Sequence, residues 1–122
     1  MTQSNEQYVD GFLLVVPSDK IEAYRAMATR AAEVWKEHGA LDYRECVGDQ
    51  LDNEGHVNFR GLSGAGEGET VVFAWIVYAN RAERDRVNTA VMADPRLNCE
   101  GYENVFDLKR MAWGGFKTLV QL

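Results

Sequence analysis

Basic residues are scarce in this chain: thirteen Lys and Arg stand against nineteen Asp and Glu, for a formal net charge of -6. With that balance, and with no run of Lys or Arg, a nucleic-acid backbone or an anionic bilayer finds no counter-charge, so neither is expected as a partner. Cysteine and histidine are equally sparse, at two each. Cys46 and Cys99 are far apart and lack CxxC spacing, and His38 and His56 form no HxH or HExxH pattern. A disulfide framework and a metal site are therefore both unsupported, and no cofactor is expected. The segment GLSGAGEGET has the glycines of a phosphate loop but not the Lys and Ser or Thr that complete one. The first residues, MTQSNEQ, hold neither a basic segment nor an apolar core, so no secretory leader is read there and the cytoplasm is the expected location.

What the chain does have is a nine-residue stretch, TVVFAWIVY from Thr70 to Tyr78, without charge, Gly or Pro. It is rich in β-branched and aromatic residues and much shorter than the roughly 20 residues of a membrane span, which makes it a buried strand. Strand side chains alternate between faces, so Val71, Phe73, Trp75 and Val77 point one way and Val72, Ala74, Ile76 and Tyr78 the other. Both faces are apolar. In a single domain of 122 residues, helices can cover one face, and a second copy of the same sheet is the economical cover for the other.

The remaining elements fall around this strand. Residues 1–7 read as a polar tail and Tyr8 to Val16 as the first strand, closed by Pro17. A helix follows, with Asp19 and Glu22 at capping-box spacing, an apolar stripe through Ile21, Tyr24, Ala28, Ala31 and Trp35, and Gly39 as its stop. Leu41 to Val47 is a more polar strand, as an edge strand or one lining a wet cavity would be. Residues 48–69 are a glycine-rich, acidic excursion, expected to carry a short strand near His56 to Phe59. After the central strand, Asn80 and Glu83 form a second capping box and Val87, Ala90 and Val91 mark a helix that ends at Asp94 and Pro95. Leu97, Tyr102, Val105 and Phe106 pack along a connection, and the last strand spans Lys109 to Val120 with a bend or bulge at Gly114 and Gly115. The order βαββαβ predicts an α+β ferredoxin-like domain, with an antiparallel sheet and both helices on one side.

Candidate site residues follow from this placement. His38, at the end of an apolar helix face, has the right chemistry for a base, although an imidazole there also suits the helix dipole. Arg44 would stabilise an anion if it projects into a cavity, with a buried ion pair as its other use. Tyr24, Trp35, Cys46 and Trp75 are expected to line the pocket, Cys46 as a small buried hydrophobe. Lys109 and Arg110, at the start of a strand, are expected to face solvent. Aromatic residues on alternate strand positions also serve base stacking in RNA-binding sheets, but the basic residues that accompany that use are missing.

Long ordered phrases carry a family likeness: YVDGFLLVVP at 8 to 17, VWKEHGALDYRECVGD at 34 to 49, ETVVFAWIVYANRAERDRVN at 69 to 88, and KRMAWGGFKTLV at 109 to 120. Together they resemble the bacterial family known as domain of unknown function 1428. The resemblance implies the dimeric α+β barrel superfamily, whose relatives include cofactor-free monooxygenases and muconolactone isomerase-like enzymes, and it transfers no catalytic motif. The expectation is an uncharacterised homodimer that binds or converts a small organic or aromatic acid between sheet and helices. A non-catalytic dimeric module built from the same residues is the other reading.

Overall fold

The computed structural model describes residues 6–97 and 105–122. The chain runs β1 (Tyr8–Pro17), a 3-10 turn (Ser18–Lys20), α1 (Ile21–His38), β2 (Asp42–Val47), α2 (Phe59–Ser63), β3 (Glu69–Tyr78), α3 (Arg81–Met92), a second 3-10 turn (Leu108–Arg110) and β4 (Ala112–Lys117). The four strands form one sheet in the order β2-β3-β1-β4, antiparallel at every junction. This is the ferredoxin-like α+β arrangement expected from the βαββαβ order.

Register decides which residues meet the helices. Tyr8 pairs with Tyr78, Asp10 with Ile76, Phe12 with Ala74 and Leu14 with Val72, so these eight residues share one face. That face packs under α1 and α3 in two clusters. Leu14, Val16 and Val72 meet Tyr24 and Ala28, while Ile76 and Tyr78 meet Val34, Val87 and Val91. Val105, from the connection toward β4, is also buried against the first cluster, with Phe106 packed beside it.

The opposite face is treated differently at its two ends. At one end Val15 and Val71 are buried under Ala65, with Leu51 and Leu13 alongside, so the glycine-rich excursion serves as a roof. At the other end Phe73, 44% exposed, and Phe116, 60% exposed, are left largely uncovered by the described residues. Val9, Leu13, Trp75 and Val77 are only half-buried around them.

Several local expectations change. Residues 56–58 carry no strand, and α2 begins at Phe59. The ring of Phe59 sits edge-on to Phe73 at 5.8 Å, and that contact fixes the segment against the sheet without a ladder. Gly64, at φ 80°, ends α2 in the left-handed conformation that glycine adopts without a Cβ penalty. Asp19 does not cap α1, because the 3-10 turn places it one residue before the Lys20 cap position. Asn80 does cap α3, its side-chain oxygen accepting from Glu83 N at 2.9 Å. The last strand is shorter than expected, since Leu108–Arg110 forms a turn. No bulge interrupts β4, whose residues pair one for one with β1. Gly115 instead makes room, because a Cβ there would run into the ring of Tyr8. Tyr102 and Cys99 lie outside the described residues.

Candidate functional site

Between the helix-bearing face and its helices the chain leaves a cavity of about 520 Å³. Its walls come from β1 (Phe12, Leu14), α1 (Met27, Ala31), the segment after α3 (Leu97), the approach to β4 (Phe106, Met111) and β4 itself (Trp113). The walls are largely apolar because the sheet and the helices present their core sides here. Size and lining are those of a small-molecule site.

Polar groups enter this cavity at two places. The first surrounds Asp10, the single charge of β1, a fully buried residue. Asn88 Nδ2 donates to Asp10 Oδ2 at 3.4 Å, and Arg84 Nη1 stands 3.6 Å from Asp10 Oδ1. Trp35 Nε1 donates to Tyr78 Oη at 3.1 Å and to Asn88 Oδ1 at 3.2 Å, joining α1, β3 and α3 in one network. Burial, and then the neighbouring Asp10 charge, push the Tyr78 hydroxyl well above its ordinary range, so it stays protonated. Arg84 lies over the Tyr8 ring at 4.9 Å and donates to its hydroxyl at 3.3 Å.

The second place is β2. Tyr43 and Glu45 alternate toward the helices, and both line the cavity. Glu45 accepts hydrogen bonds from two phenols: Tyr24 Oη on Oε1, and Tyr43 Oη on Oε2 at 2.6 Å. Burial and the adjacent carboxylate raise both phenols far above the usual tyrosine range, which fixes them as neutral donors. Tyr24 also packs edge-on against Phe106, and Tyr43 tilts against Trp35.

Of the pocket residues expected from sequence, Tyr24 and Trp35 line this cavity, whereas Cys46 and Trp75 do not. Trp75 faces the other side of the sheet, beside Phe73. Cys46 is exposed rather than buried, because β2 is an edge strand with no described strand outside it, and it borders a separate groove between β2 and α1. His38 and Arg44 are not brought together, and neither lines the cavity. His38 Nε2 is 2.8 Å from Asp94 Oδ2, and Arg96 holds that carboxylate well below its usual range. Arg44 is exposed on the helix-free face, its guanidinium 5.9 Å from the Trp75 ring. Arg110 is not left to solvent either: it grips Glu69 bidentately at 2.7 and 3.0 Å and also reaches Asp107 and Gly64 O. Sequence reasoning passed over Asp10 and Glu45. A carboxylate in each of two strands, at positions whose neighbours two residues away are apolar or aromatic, was the available signal.

Residues 7–108 match a family described as "Protein of unknown function (DUF1428)". The "Uncharacterized protein YbaA" of Escherichia coli K12 is 44% identical over 114 residues, covering 93% of this chain and 97% of that protein, and its Shigella flexneri counterpart matches equally. Among solved structures, a NIPSNAP family protein of unknown function from Agrobacterium tumefaciens superposes with a TM-score of 0.58 at 13% identity, covering 95% of this chain and 91% of its own. A dimeric ferredoxin-like protein from an uncultured marine organism gives 0.56 at 14% identity, covering 96% and 97%. At such identities these two likenesses speak for the fold.

Proposed function

The chain belongs to the DUF1428 family of proteins of unknown function, and from that starting point we propose that it is a homodimer that takes up a small organic molecule with an aromatic or apolar body in the cavity between sheet and helices. The observation that carries this reading is the cavity: about 520 Å³ of space with apolar walls and polar groups gathered at Asp10 and Glu45. The dimer is supported by the open patch around Phe73 and Phe116, since monomers rarely leave a large contiguous apolar surface uncovered. A structural neighbour described as dimeric and ferredoxin-like accords with it.

The ligand class follows from charge. An organic acid was expected on the strength of Arg44, which stands on the other face. The cavity itself holds two carboxylates, while its arginines, Arg30 and Arg96, are exposed. An acid would therefore keep its carboxylate outward, and a neutral molecule would go deeper, because bringing an anion beside Asp10 or Glu45 costs Coulomb energy in a medium of low polarity. The cytoplasm remains our expected location, and no described helix is long and apolar enough to cross a membrane.

A titration distinguishes these options. The protein is titrated with para-ethylphenol and with para-ethylbenzoate, and the indole N–H resonance of Trp35 is followed. Saturable shifts with the phenol at lower concentration than with the benzoate are the expected result. Silence at Trp35 with both probes at millimolar concentration would refute the cavity as a binding site. The other reading, a dimeric module without chemistry, is favoured by one observation: His38 and Arg44 find their contacts in Asp94 and Trp75.

A further inference from the structure

Glu45, Tyr24 and Tyr43 line two spaces at once. They belong to the wall of the apolar cavity and also to the groove between β2 and α1. The other walls of that groove include Arg25, Thr29, Cys46 and Val47, all exposed. The carboxylate thus stands in a partition, with an apolar compartment on one side and a route to solvent on the other. Both of its oxygens are held by phenol donors, and each still has a lone pair to offer.

We propose that Glu45 is the proton-transferring base of this cavity, working with the hydroxyls of Tyr24 and Tyr43 on small carbonyl compounds that carry an acidic C–H beside the carbonyl, with aryl ketones as the type. This inference rests on the reading that the cavity holds a small organic molecule. In the forward step Glu45 takes the proton from the carbon. The C–H electron pair becomes the new C=C bond, and the carbonyl π pair moves onto oxygen. A carboxyl group that has just gained a proton is a weaker acceptor than a carboxylate, so the arrival of the proton releases a phenol to donate to the new oxyanion. In the return step Glu45 gives the proton back to the same carbon or to a conjugated one. Proton exchange or a double-bond shift results, and no oxidant or second reactant is consumed.

Three features favour this assignment. The phenols stay protonated because burial and Glu45 raise them, and an oxyanion partner needs a donor that does not ionise. The apolar walls strengthen the charge interactions of the step. The groove gives the carboxylate a path to exchange its proton with solvent between turnovers.

The experiment uses phenylacetone in deuterated buffer with the intact protein. Loss of the protons next to the carbonyl is followed by NMR, and binding is followed separately at the Trp35 indole N–H. The Trp75 indole, on the other face of the sheet, serves as the internal reference. Deuterium should enter faster than in buffer alone. Glu45→Gln should bind the probe comparably and lose about 100-fold of the exchange rate, the usual reach of a positioned base. Tyr43→Phe should keep binding and lose about 100-fold, as when one oxyanion donor is removed; it also supplies the comparison if Glu45→Gln does not fold. Binding with exchange at the buffer rate, or exchange indifferent to these substitutions, would overturn the base while leaving the cavity reading intact. No response at Trp35 would overturn both.

Discussion

Arg84 and Asp10 form an ion pair almost wholly withdrawn from water: Nη1 stands 3.6 Å from Oδ1, with the two side chains 12% and 2% exposed. The separation exceeds hydrogen-bond reach, and Asp10 Oδ1 and Arg84 Nε have no hydrogen-bond partner among the described residues. Such a pair contributes little net stability, but without Arg84 the buried Asp10 becomes an uncompensated charge, whereas Arg84 keeps Asp85 Oδ1 3.2 Å from its Nε. Arg84→Met should therefore destabilise the fold by about 3 kcal/mol or more, part of it from the lost stack on Tyr8. Adding Asp10→Leu to that variant should recover a substantial part, since the orphaned charge is gone. Urea unfolding of the single and double variants measures the coupling. Strictly additive losses would refute the pairing.

Acid should weaken one specific clamp. Arg110 grips Glu69 through two hydrogen bonds, and Gly66 N donates to the same carboxylate at 2.8 Å. Arg110 first, and then that backbone donor, lower the Glu69 pKa from 4.5 to about 2. Because the folded value lies below the unfolded one, the contribution is complete above about pH 4.5 and disappears as pH falls through about 2. Asp107 is lowered by the same arginine and shifts stability in the same direction. Unfolding midpoints measured from pH 7 downward should decline across this window, and Glu69→Gln should flatten the decline. An unchanged slope in the variant would place the acid sensitivity elsewhere.

The open patch makes its own prediction. Placing a charge at Phe73 should leave the monomer fold intact, because the ring is half-exposed and the core beneath it lies on the other face. Sedimentation velocity should then find the parent chain as a dimer and Phe73→Glu as a folded monomer, less stable by the lost ring contact with Phe59. A parent chain that sediments as a monomer at micromolar concentration would remove the proposed pair.

The fold was legible in the sequence because its signals are periodic. Alternation in TVVFAWIVY named the residues of each face correctly, and register confirms the split. The Asn80 cap was readable because its bond spans three residues. The short helix at Phe59 was not, since a ring contact with Phe73, far along the chain, fixes it. The site was less legible still. Glu45 gained its setting from Tyr24, one helix earlier, and only the crossing of α1 over β2 brings them together. Arg44 and Glu45 are sequence neighbours, yet strand geometry sends them to opposite faces, and no composition argument could choose which one meets a cavity.

Phe59 touches Phe73 from one side, and the segment that carries Phe59 is tied through Gly64 O and Glu69 to Arg110. A neighbour that buries Phe73 would press on the same latch that protons undo. Self-association and acidity would then meet at one joint, which stays locked above about pH 4.5 and gives way only as Glu69 takes up its proton below that.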